Sequence, residues 1–206
     1  MTGAVPALPR VRAYGATATL VDVASARDAA SVARWLRRRL TALDVVPAAR
    51  SVLVDGVAPA AVAEALRGWS PTGEEPTGPL VELEVTYDGA DLAFAATRWG
   101  VDAGEVGALL AAVDFEVAFC GFAPGFAYLT GLPRALWLPR LDAPRPRVEP
   151  GSVAIAGEWC GVYPSASPGG WRVLGHTVAA LWDVAREEPA LLAPGTRVRM
   201  VPGSAR

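Results

Sequence analysis

The residues best placed to do chemistry lie in the run Gly121-Phe-Ala-Pro-Gly-Phe-Ala-Tyr-Leu129. Pro124 removes a backbone donor and Gly125 permits positive φ, so the run cannot continue as an ordinary helix. It reads as a stiff, twisted loop holding Phe122, Phe126 and Tyr128. Further on, Gly161-Val-Tyr-Pro164 supplies Tyr163, and Ser167-Pro-Gly-Gly-Trp171 sets Ser167, Gly169 and Gly170 beside Trp171. Aromatic walls next to uncrowded backbone N–H groups suit a small, partly apolar molecule bearing a carboxylate or phosphate. The same residue types also fit plain β-turns and core packing, and the sequence leaves both readings open.

The charged groups add direction. Arg134, Arg140, Arg145 and Arg147 fall within 14 residues, with Asp142 and Glu149 as the nearby acids. Planar guanidinium groups match carboxylate and phosphate oxygens. Arg140 and Arg145 each follow a proline that stiffens the backbone, which favours them as anion ligands. The single histidine, His176, sits in Gly175-His-Thr177. The chain has no Lys, Asn or Gln. That excludes a Schiff-base lysine, a GxxxxGK[ST] phosphate loop, an HExxH zinc helix and a Cys–His–Asn triad. Cys120 and Cys160 lie 40 residues apart without a CxxC, so they are read as reduced thiols rather than zinc ligands. Ser152 and Ser167 lack a partner base, and no catalytic nucleophile or metal ligand is assigned.

With 206 residues, 52% of them apolar, 19% charged and a formal net charge of −2, the chain has ample material for a core. Residues 1–76 hold nine Arg against seven acids, and residues 77–206 ten against fourteen, too little basic excess for a nucleic-acid partner. The run Leu92–Val113 has a helix-turn-helix outline. Its second helix carries two acids and no cation, so it reads as simple packing. The uncharged stretch Val117–Pro133 is 17 residues and broken by Gly and Pro, short of the ~20 that a membrane span needs. Met1–Arg12 lacks the apolar region of a signal peptide, so the expected location is cytoplasmic.

The elements that must position these residues fall on two sides of Ser70–Pro79, where turn formers interrupt all periodicity. The expected domains are 1–76 and 77–206. In the first, a β-rich Ala16–Val23 precedes a helix capped by Ser25. The helix carries a stripe of Val32, Trp35, Leu36, Leu40 and Leu43, with Arg34, Arg37 and Arg38 in water. A strand at Ser51–Asp55 and a helix from Pro59 to Gly68 complete a β-α-β-α order. In the second, Leu80–Tyr87 alternates, with Val81, Leu83, Val85 and Tyr87 inward. Two short helices follow, one capped by Asp91 and stopped at Gly100, the other started by Asp102 and Glu105. Short strands are expected at Phe115–Cys120, Ser152–Ala156, Trp171–Leu174, Val178–Trp182 and Thr196–Val201, favouring a closed or sandwich-like β architecture.

The ordered motifs GFxPGFxYL, PRLxxPR, GSVxIAG, GVYP and SPGGWxxxGxT, spanning Gly121–Thr177, closely resemble the family of 5-oxoprolinase B subunits. That family is also called allophanate hydrolase subunit 1 or the KipI-like kinase-inhibitor family. Weaker likeness extends over nearly the whole chain. The resemblance implies an α+β fold: a small N-terminal α/β (ferredoxin-like) domain followed by a C-terminal cyclophilin-like β-barrel. It implies one component of an ATP-dependent hydrolase opening 5-oxoproline to glutamate. The partners would be an allophanate hydrolase subunit 2-type protein (the C-type polypeptide of 5-oxoprolinase) and a third, A-type polypeptide, with no cofactor held by this chain alone. Its other implied roles are a histidine-kinase inhibitor and an allophanate- or urea-processing carboxyltransferase-type component. In a site shared with the sister polypeptide, Arg140 and Arg145 would hold an anion, with Phe122, Phe126 and Tyr128 walling the ring. Ser167–Gly170 would offer N–H donors, with Tyr163, Trp171 and His176 close by. Prolyl-isomerase activity does not follow from a barrel alone. Three departures stand out: Glu149-Pro150 where the family commonly has Pro-Ala, Trp159-Cys160 where it often has Gln-Thr, and His176 where it usually has Arg. The second exchanges a polar amide for an indole. The third exchanges a permanent cation for a side chain whose charge depends on pH.

Overall fold

The computed structural model describes residues 9–71 and 78–203. The chain divides into two compact units, Met1–Glu75 and Pro76–Arg206. Most of the expected Ser70–Pro79 boundary lies outside the described residues.

The first unit is an antiparallel sheet with two helices. Its elements run β1 (Arg10–Tyr14), β2 (Ala18–Asp22), α1 (Ala26–Arg37), β3 (Asp44–Pro47), β4 (Ser51–Asp55) and α2 (Pro59–Ala65). Ser25 caps α1 by accepting the Asp28 N–H at 3.1 Å. Ala29, Val32, Ala33 and Leu36 pack with Val21, Val45, Val52 and Val54 of the sheet. The Trp35 indole donates to the Ala65 carbonyl at 2.7 Å, tying α1 to α2. Two strands escape the sequence reading. β1 has exposed residues nearly throughout, and β3 is four residues long and ends in Pro47. The order is therefore β-β-α-β-β-α rather than β-α-β-α. The sheet order β1-β2-β4-β3 is nonetheless that of a split β-α-β unit, with the outermost strand entering through an N-terminal hairpin. Leu43 is a correction: it lies beyond α1 and is 81% exposed.

The second unit contains β5 (Leu80–Val85), α3 (Leu92–Trp99), α4 (Val106–Ala111), β6 (Phe115–Cys120), β7 (Ala127–Thr130), β8 (Arg145–Val148), β9 (Ser152–Ala156), β10 (Trp159–Val162), β11 (Ser167–Gly169), β12 (Arg172–His176) and β13 (Arg197–Pro202). Seven of these strands form one sheet in the order β12-β9-β10-β7-β6-β13-β5. Its outer strands meet where Thr86 and His176 exchange backbone hydrogen bonds of 2.9 and 2.8 Å, so the sheet curls into a nearly closed barrel. β13 runs parallel to β5, bringing the last strand against the first of this unit. β8 and β11 form a separate two-stranded ribbon.

Inside the barrel, Leu83, Val85, Phe115, Val117, Leu129, Val153, Ile155, Val162, Leu174 and Met200 form one cluster. The period-two alternation of a strand then sends Ala154 and Ala156 to the opposite face, where a second cluster forms. α3 ends on Gly100 at φ 70°, and the Asp102 N–H donates to Glu105 at 2.9 Å, as the D-x-x-E spacing predicts. Val178–Trp182 is a correction. It forms no strand beyond a bridge from Trp182 to Ala190, and Val178 is 94% exposed. The Thr177 hydroxyl accepts the Ala179 N–H at 3.2 Å, turning the chain away from the sheet. No helix of the described residues is long and apolar enough to cross a membrane.

Candidate functional site

The outer face of β7, β9 and β10 carries small residues that give large rings room to pack. Ala154, Ala156 and Gly161 are the platform. A Cβ at Gly161 would stand 3.1 Å from the Trp171 ring and 3.2 Å from Phe126, so any added side chain crowds both rings. On this platform Phe126 contacts Trp171 at 5.5 Å and Tyr163 at 5.3 Å, both edge to face. Tyr128 stacks on Phe119 at 4.4 Å and meets Trp171 edge-on at 5.6 Å. Trp159 adds a further edge against Phe119 at 5.3 Å. Each such pair contributes about 0.5–1.5 kcal/mol beyond area burial, so the layer is a rigid plate.

Phe119 joins this layer because of a bulge. The β6–β7 register shifts between Val117 and Phe119, reversing which face the following residues take. Phe119 turns to the outer rings, while Cys120 packs on the barrel core. Sequence reading missed Phe119, because alternation alone cannot locate a bulge.

The loop 121–126 is twisted as expected. Gly125 takes φ 82°, and Phe122 takes φ 72°, the one positive φ outside glycine among the described residues. A side chain in that region costs about 1–2 kcal/mol. Phe122 touches Phe126 edge-on at 5.3 Å yet stands 64% exposed at the margin of the plate.

The paired prolyl arginines have different fates. Arg145 donates to Asp91 at 2.9 Å and to the Trp171 carbonyl at 3.3 Å. Arg172 reaches the other Asp91 oxygen at 3.3 Å, donates to the Pro139 carbonyl at 3.2 Å and covers the Phe94 ring at 4.0 Å. Asp91 also accepts the Val173 N–H at 2.8 Å and is only 5% exposed. Its carboxylate is thus no helix cap, contrary to the sequence expectation. It is a buried clamp holding two guanidinium groups and β12. No sequence signal marked it, because Asp91 sits far along the chain from both arginines.

Arg140 has no carboxylate partner among the described residues. Its guanidinium would stand 3.4 Å from a Cβ at Gly170, and the Gly170 carbonyl accepts the Leu141 N–H at 2.8 Å. Burial raises the pKa of the Tyr128 phenol, and the nearby Arg140 charge acts against that rise. The same two influences act in the same order on Tyr163. A cation without a counter-ion, set beside two phenols and a glycine, can take a carboxylate or phosphate.

Of the expected site residues, Phe126, Tyr128, Tyr163 and Trp171 form the plate, and Arg140 with Gly170 lies at its side. Ser167 and Gly169 belong to the β8–β11 ribbon, paired with Val148 and Arg145. The Ser167 hydroxyl is shielded without a hydrogen-bond partner. His176 lies at the barrel seam, its Nδ1 2.9 Å from Asp88, and it pairs with Ser152, whose carbonyl accepts the Tyr163 N–H at 3.0 Å. Arg134 lies over Trp137 at 5.8 Å, and Arg147 pairs with Glu149. Both cysteines are free thiols, Cys160 buried and Cys120 half-buried.

The family described as "Carboxyltransferase domain, subdomain C and D" matches residues 9–192. The chain is 40% identical to the 5-oxoprolinase B subunit of Escherichia coli O157:H7, covering 95% of this chain and 97% of that protein. It is 38% identical to the protein of the same name from Bacillus subtilis (strain 168), over 59% of this chain and 52% of that one. Among solved structures, TTHA0988 superposes with a TM-score of 0.79 at 34% identity, covering 93% of this chain but 40% of that longer one. The Kluyveromyces lactis urea amidolyase shares the fold at TM-score 0.75 and 18% identity, over 99% of this chain and 15% of that one. The family match over residues 9–192 and the 40% identity along nearly the whole of a named relative show that the chain belongs to the carboxyltransferase-domain family that contains the 5-oxoprolinase B subunits.

Proposed function

We propose that this chain is the B-type component of an ATP-dependent 5-oxoprolinase, and that Arg140 with the aromatic plate forms its share of the substrate site. The observation that carries the reading is Arg140, a cation lacking a carboxylate partner among the described residues, beside Tyr128, Trp171 and Gly170. A five-membered lactam has a flat apolar ring and a carboxylate. The plate suits the ring and Arg140 the carboxylate. The near full-length likeness to a named B subunit supports the substrate class.

Opening the lactam breaks the ring C–N bond. ATP places a phosphoryl group on the carbonyl oxygen and leaves as ADP, one water adds at the carbonyl carbon, the nitrogen leaves as an amine, and a second water cleaves the resulting acyl phosphate. Glutamate, ADP and phosphate are the products. The chain has no Lys and no GxxxxGK[ST] phosphate loop, so ATP is assigned to the assembled complex rather than to this chain alone. This chain's residues orient the substrate. Arg140 fixes the carboxylate, Tyr128 and Trp171 hold the ring, and Asp91 locks Arg145 and Arg172 so that neither competes for the anion. Trp159, where the resembled pattern often has an amide, makes the wall more apolar.

The test is glutamate release from 5-oxoproline and ATP by the chain assembled with A-type and C-type polypeptides. Turnover is expected only with all three present. Absence of 5-oxoproline turnover by a fully assembled complex contradicts the reading.

A further inference from the structure

We propose that Arg140 and the free edges of Arg145 and Arg172 form a site for a phosphate-class dianion. Its carrier is the lactam during ring opening, an assignment that rests on the 5-oxoprolinase reading above. The three guanidinium groups gather on two short segments, 139–141 and 170–172. Arg172 donates from Nε to the Pro139 carbonyl at 3.2 Å, and Arg145 donates to the Trp171 carbonyl at 3.3 Å. Arg140 stands against Gly170, whose carbonyl takes the Leu141 N–H at 2.8 Å. The charges of Arg140 and Arg145 both act on the Tyr163 phenol, so the two cations share one neighbourhood.

Charge does not balance there. Asp91 offers one carboxylate to both Arg145, at 2.9 Å, and Arg172, at 3.3 Å. Arg140 adds a third cation, and among the described residues no acid pairs with it. Asp142, the acid next to these segments, is exposed and pairs with no arginine among the described residues. Three guanidinium groups against one buried carboxylate leave two positive charges over. Folding alone gives no reason to gather them, because like charges repel. Donors are left over as well. A guanidinium carries five N–H groups. Among the described residues Arg145 commits Nη1 and Nη2 and keeps Nε, whereas Arg172 commits Nε and Nη1 and keeps Nη2.

The surplus names the ligand. A carboxylate carries one negative charge and balances Arg140 alone. A phosphoryl group carries about two, on three acceptor oxygens that suit guanidinium forks. Gly170 keeps the approach open, since even an added Cβ would stand 3.4 Å from Arg140 Nη2. In the proposed reaction the phosphoryl group stays on the substrate until the second water cleaves the acyl phosphate. The carboxylate-bearing carbon and the carbonyl carbon of the lactam flank the same ring nitrogen, so one arginine cluster can meet both charged groups. Asp91 holds Arg145 and Arg172 away from the carboxylate and leaves their free edges for the later anion.

The test is calorimetric titration of the full isolated chain at pH 8 with inorganic phosphate and with acetate, at equal ionic strength. Phosphate is expected to bind at least ~10-fold more tightly than acetate. Arg172→Met keeps an aliphatic stem over Phe94 and removes one charge, so phosphate affinity is expected to fall about 10-fold and acetate affinity less than about twofold. Arg172→Lys restores the charge and is expected to return phosphate affinity to within about threefold of wild type. Arg140→Met, at an exposed side chain, is expected to weaken both anions by about 10-fold. Arg38→Met, at an exposed arginine that ends α1, is expected to change neither. Full phosphate affinity in folded Arg140→Met or Arg172→Met overturns the site, as does an equal loss in Arg38→Met. In the assembled complex phosphate is expected to compete with 5-oxoproline; competition with ATP alone overturns the lactam as carrier. Equal binding of the two anions by wild type, beside normal 5-oxoproline turnover, overturns the dianion site and leaves the substrate reading standing. A complex that leaves 5-oxoproline intact, although the chain keeps its phosphate preference, refutes the substrate reading and upholds the site.

Discussion

The two faces of the barrel sheet obey different rules although the same strands build them. The inner face is branched aliphatic, with Val153 and Ile155 from β9 and Cys160 and Val162 from β10. The outer face alternates small platforms, Ala154, Ala156 and Gly161, with wide rings, Phe126, Tyr128, Trp159 and Trp171. A fold needs only one of these. Interdigitated aliphatics give the barrel its stability, whereas rings packed edge to face on small residues give a rigid outer layer with a cation at its side.

Substitutions on the two faces sharpen this contrast. Leu129→Ala, at a side chain with no exposure, is expected to cost about 3 kcal/mol in urea unfolding. Turnover by any assembled complex that still folds is expected to be unchanged. A cost near zero breaks the distinction. Asp91→Asn is expected to cost about 2 kcal/mol, less than a fully buried pair, because Arg145 and Arg172 keep 28% and 17% side-chain exposure. It also frees Arg145, so KM for 5-oxoproline rises more than kcat falls. Equal changes in both reduce Asp91 to a purely structural role.

Alkaline stability weights the interior, and the raised Tyr128 and Tyr163 phenols of the plate act in the same direction. Burial pushes the Cys160 thiol up to about 12, and it raises the Tyr87 phenol as well. The native chain therefore keeps protons that the unfolded chain releases above about pH 9. Stability is complete below that pH and declines as pH climbs from about 9 toward 12. Cys160→Ala is expected to flatten the decline, as measured by urea midpoints across that window; an unchanged slope places the loss elsewhere. The smallest stability effect belongs outside. Tyr128→Phe keeps the ring that walls the site and removes only the hydroxyl, so unfolding is expected to shift by less than ~0.5 kcal/mol and turnover to stay within about twofold of wild type. A 10-fold loss of turnover contradicts a role carried by the ring alone.

Much of the fold was legible because it rests on local rules. β6 and β9 lie at their expected residues, since short apolar runs between Gly/Pro turns leave few alternatives. Ser25, Gly100 and the Asp102–Glu105 start follow from capping chemistry. What local rules could not reach were pairings made over long stretches of chain. β1 has one partly covered residue and needs β2 to exist as a strand. Asp91 reads as a cap until Arg145 and Arg172 arrive across the fold. Phe119 needs a bulge that no periodicity announces. In the site, motif residues such as Tyr128, Arg140 and Trp171 were legible by type. The separation of Arg140 from Arg145 was not, because identical Pro-Arg pairs differ only in whether a distant carboxylate meets them.

Arg140→Ala in the assembled complex, followed by melting temperature and by steady-state ATP-dependent turnover of 5-oxoproline, tests the account most directly. An exposed cation without a carboxylate partner contributes little to folding, so the melting temperature is expected to stay within about 2 °C. The kcat/KM value is expected to fall about 100-fold or more. Full retention of kcat/KM at an unchanged melting temperature contradicts it.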